Sequence, residues 1–250
     1  MQTIKTAAYK IIRSMGYEVR KQQPDYVEVP KYLAHNAHKL YDFRQEKGFS
    51  EVAGTVIAEG RTLLDYDRLL VLWQAVKNTC RLRRAVAEIG SYKGGSARFL
   101  SSAIEYFGSD LPVHIFDTFS GHPDQIDPGK DGPHKVGMFS DTSLDQVSAY
   151  LSRFKNINIH DGRFEDRCSD VAEFTFGLVH IDVDIYESTV HCLEFFWPRL
   201  VPHGVIVVDD YGFTSCRGLK EAIDRFVDGR PECHGWYMHT GQFVMEKVCS

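Results

Sequence analysis

The sequence lacks the features that mark several common classes of protein. Its six cysteines show no C-x-x-C spacing, so neither a zinc site nor a disulfide framework is indicated, and we expect free thiols in a reducing compartment. No apolar run approaches the length of a transmembrane helix, and residues 1–10 lack the continuous apolar segment of a secretory signal. These absences favour a cytoplasmic protein that does not insert into a membrane.

Neither sign of charge is concentrated in one part of the chain. Lys and Arg number 29 against 34 Asp and Glu, which gives a formal net charge of −5, and no block of like charge stands out. A basic face for nucleic acid is therefore not expected. The 250 residues suffice for one large α/β domain, or for one such domain and an appendage.

Short apolar runs alternate with helical patterns over most of the chain. Runs rich in β-branched residues predict five buried parallel strands, at 85–89, 113–116, 157–160, 176–181 and 205–208. Two further runs, at 235–239 and 242–247, are close enough to pair antiparallel. This alternation predicts a doubly wound, mostly parallel sheet with an antiparallel edge.

The first 60 residues follow no comparable pattern. We expect residues 1–60 to form a largely helical appendage that covers the site or makes an oligomer contact, and residues 61–250 to form the main domain.

Carboxylates cluster at the ends of two predicted strands. Asp182 and Asp184 follow one apolar run, and Asp209 and Asp210 follow another. Ligands of open α/β sheets bind beyond the carboxyl ends of the strands. Two like charges about 4 Å apart repel by roughly 4 kcal/mol at an effective dielectric of ~20, so either protons or a hard cation such as Mg²⁺, Mn²⁺ or Ca²⁺ must balance them. The alternative is that these residues only cap helices or line a solvated rim.

A glycine-rich turn joins the first long strand to the helix after it. Gly90 suits a tight turn, and Gly94 and Gly95 suit close approach of a ligand to the backbone. The spacing G-x-x-x-G-G is neither the G-x-G-x-x-G of dinucleotide sites nor a P-loop, which argues against an NAD-dependent oxidoreductase. A tight turn that binds no ligand remains the alternative.

Two acidic residues near this turn indicate a nucleoside. Glu88 and Asp117 fall at the ends of the first two long strands, where an acid accepts hydrogen bonds from ribose hydroxyls. A nucleoside held by acids without a phosphate cradle fits S-adenosylmethionine better than NAD. For Asp117 the alternative is an Asx turn that opens the following loop.

Three strings in the second half of the chain resemble a known family. They are I-D-V-D-I-Y-E-S-T at 181–189, W-P-R-L-V-P-H-G at 197–204 and V-D-D-Y-G at 208–212. They resemble the macrocin O-methyltransferases, bacterial enzymes that methylate sugar hydroxyls of macrolide and aminocoumarin antibiotics. The resemblance extends over roughly residues 60–247 through R-T-L at 61–63, the glycine turn, D-T-F-S-G at 117–121 and D-G-R-F at 161–164. Tyr92-Lys93 replaces the usual W-R, and His203 replaces a usual glycine.

The resemblance implies a Rossmann-like class I fold with seven strands and a Mg²⁺-dependent transfer of a methyl group from S-adenosylmethionine, with Mn²⁺ as a possible substitute. It implies metal ligation by Asp182, Asp209 and Asp210 and catalysis by Asp184 as base together with Asp182, although the roles of Asp182 and Asp184 are exchangeable. The implied cofactor contacts are Thr62, Glu88, Gly90, Ser91, Tyr92, Ser96, Asp117, Gly162, Phe164 and Asp182.

The acceptor and the long loop at 119–142 are less defined. A hydroxyl of a sugar or glycosylated natural product is the first expectation. The alternatives are a sugar of a surface polysaccharide, a small phenolic acceptor and a non-catalytic S-adenosylmethionine-binding module. Four glycines and three prolines mark residues 119–142 as a loop able to close over the site. We expect its histidines, His122 and His134, to be solvated, with contact to the acceptor as the alternative.

Overall fold

The computed structural model describes residues 26–28, 39–124 and 126–248, with side chains from residue 42 onward. The chain divides into two compact units, Met1–Glu46 and Lys47–Ser250. In the first unit, strands β1 (Tyr26–Glu28) and β2 (Lys39–Tyr41) pair antiparallel. Most of the predicted helical appendage lies outside the described residues, so its role as a lid or oligomer contact stays a prediction.

The second unit contains a seven-stranded sheet. Its strands are β3 (Ala85–Ile89), β4 (Val113–Asp117), β5 (Ile157–Asp161), β6 (Phe176–Ile181), β7 (Leu200–Val208), β8 (Cys233–Tyr237) and β9 (Phe243–Lys247). Their spatial order is β5-β4-β3-β6-β7-β9-β8. The first five in this order are parallel, while β9 runs antiparallel to β7 and β8 antiparallel to β9. The predicted fold, mostly parallel with an antiparallel edge, is confirmed.

Helices connect the strands and cover both faces of the sheet. They are α1 (Phe49–Ala58), α2 (Tyr66–Thr79), α3 (Gly95–Tyr106), α4 (Leu144–Leu151), α5 (Phe164–Arg167), α6 (Tyr186–Phe196) and α7 (Arg217–Val227). Within the described ranges, none of these helices is both long enough and apolar enough to cross a bilayer.

The two faces of the sheet are packed by different groups of helices. On one face α2 lies against β6 and β7 and packs with α1 and α3. Here Phe49, Trp73 and Phe99 form edge-on and tilted ring contacts at centroid distances of 5.8–6.3 Å. On the other face apolar residues of α6 and α7, including Leu193 and Leu219, share one buried cluster with the sheet. The sheet is therefore held rigidly between two apolar layers.

Strand β7 is longer than its sequence pattern predicts. The apolar run indicated 205–208, whereas the strand begins at Leu200. Leu200 pairs with Phe176 and Val205 with Leu178, and the register shifts between these pairs. The irregularity accommodates Pro202 and Gly204, two residue types that weaken regular strand pairing.

The order of strands creates the crevice that positions the site. After β3 the chain forms β4 and β5 on one side of it, and then returns to form β6 on the other side. Ligands of open α/β sheets bind at such a reversal, beyond the carboxyl ends of the strands. The glycine turn after β3 and the carboxylates after β6 and β7 all lie at this edge.

Candidate active site

The glycine turn is shaped by a close approach between two backbone segments. Gly90 has a φ of 85°, and a Cβ there would collide with the carbonyl oxygen of Asp182. The Gly90 amide donates to Phe116 O at 2.9 Å, and the Asp182 amide donates to Ile89 O at 2.8 Å. A side chain at position 90 would therefore separate β3 from β6 where they form the crevice.

Asp117 organises this turn through its carboxylate. Its Oδ2 accepts hydrogen bonds from the amides of Ser91 (2.9 Å) and Tyr92 (2.7 Å), and its Oδ1 accepts one from the amide of Phe119 (2.7 Å). Burial raises the pKa of Asp117, against the opposing effect of these three amides. A carboxylate has about four acceptor positions, so roughly one stays available to a ligand. Asp117 thus forms the predicted Asx turn and also lines the predicted pocket.

One pocket unites most of the predicted cofactor residues. A cavity of about 420 Å³ is lined by Thr62, Gly90, Ser91, Tyr92, Ser96, Asp117, Gly162, Phe164 and Asp182. Ser91 Oγ is buried and has no hydrogen-bond partner among the residues that the structure describes. An unpaired hydroxyl in a pocket wall is a ready contact for a polar ligand.

Glu88 is the predicted cofactor residue that the structure does not bring to this pocket. Its side chain is fully buried inside β3, where Oε1 lies 3.0 Å from Nδ1 of His180 on β6. Glu88 is one residue short of the end of the strand and is not among the residues that line the cavity. Its contact with a ribose stays a prediction.

The four aspartates after β6 and β7 converge at the other end of the pocket. Oxygen atoms of Asp182, Asp209 and Asp210 all lie within 4.8 Å of one another. Burial, followed by the charges of the neighbouring aspartates, raises the pKa of Asp182 well above its usual range. Burial also raises the pKa of Asp184 and of Asp209, and burial together with Asp184 raises the pKa of Asp210 to about 7. The cluster therefore needs positive charge close by if its carboxylates are to be ionised together.

Arg68 supplies part of that charge. This α2 residue lies with its Nη1 2.5 Å from Asp209 Oδ2 and 3.4 Å from Asp210 Oδ1, while Nη2 donates to Leu63 O at 2.6 Å. One guanidinium cannot balance four carboxylates. Asp209 Oδ1 stays buried without a hydrogen-bond partner in the described part of the chain.

The loop after β4 folds over the end of the pocket where the aspartates lie, and both of its histidines line the wall. His134 is 9 % exposed, and His122 Nε2 lies 3.5 Å from Asp184 Oδ2. The expectation that these histidines are solvated is wrong, because the loop packs against the start of α6 instead of extending into solvent.

Two carboxylates fasten this loop at separate points. The buried Asp131 accepts hydrogen bonds from the amides of Tyr186 and Asp127, each at 2.8 Å. Near the end of the loop, Asp141 accepts from Tyr92 Oη and Lys93 Nζ, each at 2.6 Å. The loop is thus tied both to the start of α6 and to the glycine turn.

Comparison with known proteins decides the family. Residues 15–231 match the macrocin O-methyltransferase (TylF) family. The chain belongs to this family. The resemblance predicted from the motifs at 181–189 and 208–212 is therefore confirmed.

Two relatives of this macrocin O-methyltransferase family member come from Streptomyces. The chain is 28% identical over 145 residues to the 8-demethyl-8-(2,3-dimethoxy-alpha-L-rhamnosyl)-tetracenomycin-C 4'-O-methyltransferase of Streptomyces olivaceus, a match covering 53% of this chain and 54% of that protein. It is 26% identical over 181 residues to the demethyldecarbamoylnovobiocin O-methyltransferase of Streptomyces niveus, covering 68% of each chain. The matches thus span about half of the first relative and about two thirds of the second.

A solved structure supports the same fold. The O-methyltransferase NovP superposes with a TM-score of 0.65 at 19% sequence identity, covering 81% of this chain and 97% of that one. At this identity the likeness concerns the fold alone.

Arg68 and Asp131 are the site residues that sequence reasoning missed. Arg68 lies 141 positions from Asp209, and Asp131 lies 55 positions from Tyr186. Arg68 stands near the start of α2, and nothing in the neighbouring sequence indicates that its guanidinium meets an acidic cluster. For Asp131 the neighbouring glycine and proline were signs of a turn, not of a buried carboxylate.

Proposed function

We propose that this protein is an S-adenosylmethionine-dependent O-methyltransferase that uses Mg²⁺, or Mn²⁺ in its place, to methylate a hydroxyl of a sugar or glycosylated natural product. The observation that carries the proposal is the convergence of Asp182, Asp209 and Asp210 beside the pocket of the glycine turn. Membership of an O-methyltransferase family supports the reaction class.

The pocket around the glycine turn has the chemistry that S-adenosylmethionine requires. Gly90 lines the cavity, and the buried Ser91 hydroxyl has no partner within the described ranges. We assign one ribose hydroxyl to the remaining acceptor position of Asp117. Bound there, the cofactor supplies an electrophilic methyl group on a sulfonium. The residues of the pocket bind and orient it and keep water away from the methyl group.

The acidic cluster fits a hard divalent cation. Three carboxylates offer oxygen ligands, their pKa values are raised as crowded carboxylates require, and Asp209 Oδ1 is unpaired among the described residues. Asp182, Asp209 and Asp210 would hold the ion. The ion supplies positive charge that lowers the pKa of a hydroxyl brought next to it. Arg68 adds a fixed positive charge beside Asp209 and Asp210.

Asp184 is the residue that we assign as general base. It lines the pocket beside the acidic cluster, and burial raises its pKa, which makes it a stronger proton acceptor than a solvated aspartate. It takes the proton from the acceptor hydroxyl as the oxygen bonds to the methyl group, while the bond from that methyl group to sulfur breaks and S-adenosylhomocysteine leaves. In the alternative assignment, Asp182 is the base and Asp184 is the metal ligand. Mutagenesis distinguishes the two assignments.

The acceptor is assigned from the relatives and from the walls of the pocket. The name of the Streptomyces olivaceus relative specifies methylation at the 4'-oxygen of a rhamnosyl compound. In this chain the acceptor end combines polar and apolar walls, including His122, Met138, Phe139 and Phe213. Such walls suit a ring with several hydroxyls joined to an apolar body. A small phenol is the second acceptor class to test.

The test is a calorimetric titration with S-adenosylhomocysteine and with Mg²⁺, with EDTA as the metal-free reference. We expect wild-type protein to bind both, Asp209→Asn to lose Mg²⁺ binding, and the exposed Asp110→Asn to retain it as a matched control. Unchanged Mg²⁺ binding by Asp209→Asn would contradict the metal assignment. Binding of the cofactor product without methylation of any glycoside would favour the non-catalytic module.

A further inference from the structure

Two imidazoles and one carboxylate converge beside the proposed magnesium cluster but are not part of it. His122 Nε2 lies 3.1 Å from His134 Nδ1 and 3.5 Å from Asp184 Oδ2, and one donor atom from each residue lies within 4.8 Å of the others. We propose that His122, His134 and Asp184 form a second cation site, which takes a borderline ion such as Zn²⁺ rather than Mg²⁺.

The distances between donor atoms suit a tetrahedral ion. Zinc lies about 2.0–2.1 Å from an imidazole nitrogen and about 2.0–2.2 Å from a carboxylate oxygen, so ligands at tetrahedral angles are separated by roughly 3.3–3.5 Å. The two shortest separations here, 3.1 and 3.5 Å, lie close to that range. Imidazole ligands favour zinc and similar ions, whereas Mg²⁺ prefers an all-oxygen environment. The ligand types therefore separate this site from the carboxylate cluster.

The histidine side chains already have the orientation that ligation requires. His122 directs Nε2 toward both His134 Nδ1, at 3.1 Å, and Asp184 Oδ2, at 3.5 Å. The other nitrogen of His134, Nε2, lies 3.5 Å from Sγ of the buried Cys216. A histidine that binds a metal through one nitrogen usually donates from the other to a fixed partner, and Cys216 occupies that position.

The loop that carries both histidines is fixed by contacts that need no ion. His122 exchanges backbone hydrogen bonds across the loop, donating to Met138 O at 2.8 Å and accepting from the Gly137 amide at 2.9 Å. The His134 amide donates to Asp131 O at 3.2 Å, and Asp131 is itself bonded to the start of α6. The three ligands are therefore held together by the fold.

Occupation of this site has a consequence that rests on the proposed function. An ion bound to Asp184 occupies the oxygen that we assign to accept the proton. Zn²⁺ at this site therefore inhibits methyl transfer without displacing the cofactor or the ion bound by Asp209. Binding itself does not depend on any methyl transfer, so the two proposals fail separately.

The test uses the full-length, metal-stripped protein titrated with Co²⁺ in the presence of saturating Mg²⁺, followed by displacement with Zn²⁺. Visible absorption reports tetrahedral Co²⁺ directly. The variants are His122→Gln and His134→Gln, with the exposed His239→Gln as the matched control and Asp209→Asn to remove the carboxylate site. Affinity for S-adenosylhomocysteine reports that each variant is folded.

We expect one tetrahedral Co²⁺ site that Zn²⁺ displaces. His122→Gln and His134→Gln each weaken it by about tenfold or more, because even a residue that only supports a metal ligand is worth about 10–100-fold in affinity. His239→Gln and Asp209→Asn leave it unchanged. Absence of a tetrahedral spectrum, or a spectrum unaffected by both histidine variants, overturns the proposal and leaves a hydrogen-bonded imidazole pair.

Discussion

Arg68 Nη1 lies 2.5 Å from Oδ2 of Asp209, a contact between the second helix of the main unit and the end of β7, across 141 positions of sequence. Asp209 is fully buried and Arg68 is 17 % exposed at its side chain. The guanidinium is therefore a fixed cation beside the acidic cluster. Its single positive charge does not neutralise all of the carboxylates.

Replacing Arg68 with Gln should make folding depend on added cation. Removing one partner of a buried ion pair costs about 3–5 kcal/mol, and we expect a loss near the lower end because Arg68 is partly solvated. Added Mg²⁺ should restore more stability to Arg68→Gln than to wild type. Urea unfolding with Mg²⁺ and with EDTA measures this, and the exposed Arg153→Gln is the control. Equal losses with and without Mg²⁺ would show that Arg68 acts by packing alone.

Asp184→Asn and Asp182→Asn should separate the base from the metal ligand. If Asp184 is the base, its replacement lowers kcat by about 10²–10⁴-fold and leaves affinity for Mg²⁺ and S-adenosylhomocysteine nearly unchanged. Asp182→Asn should weaken Mg²⁺ binding as well as catalysis. The measurements are steady-state kinetics and calorimetry on the same preparations. The reverse pattern would exchange the two roles.

The sequence pattern predicted those features of the site that depend on local order. Asp182 and Asp210 follow short β-branched runs, and strands that run parallel in one sheet bring their carboxyl ends to one edge. Gly90 stands in a glycine-rich turn directly after a predicted strand, which is also a local pattern. These positions could be predicted without any tertiary contact.

Features that depend on distant contacts could not be predicted in this way. Whether His134 is solvated depends on where a long loop packs, and that is decided by Asp131 meeting the amide of Tyr186. The buried pairing of Glu88 with His180 likewise depends on contact between two strands, β3 and β6, and no local pattern predicts it. The sequence shows the chemical type of such residues, but it does not show which distant residues they contact in the fold.

His114 should make the protein sensitive to mild acid. Burial and the neighbouring His160 lower its pKa from 6.5 to about 4. As pH falls from about 6.5 to about 4, His114 therefore binds a proton in the unfolded chain but not in the folded one. Over this window His114 lowers the free energy of unfolding by roughly 2–3 kcal/mol. Above pH 6.5 both states are neutral at this residue and its effect vanishes.

His114→Phe tests this dependence, because His114 already packs against the rings of Phe174 and Phe176. Urea unfolding at pH 7.5 and at pH 5 should show a smaller loss on acidification in the variant than in wild type. His239→Gln, at an exposed position, should behave as wild type does. Identical pH dependence in His114→Phe and wild type would assign the acid sensitivity to other groups.

Gly90→Ala should abolish cofactor binding because of a steric collision and not because of backbone strain alone. Gly90 and Gly229 both have positive φ, 85° and 73°, so alanine costs about 1–2 kcal/mol at either position. A Cβ at position 229 has no heavy atom within 4 Å, whereas at position 90 it collides with the carbonyl of Asp182. Only Gly90→Ala forces β3 and β6 apart at the crevice. Titration with S-adenosylhomocysteine should therefore show normal affinity for Gly229→Ala and none for Gly90→Ala, and equal affinity in the two variants would show that the turn adjusts without cost to the pocket.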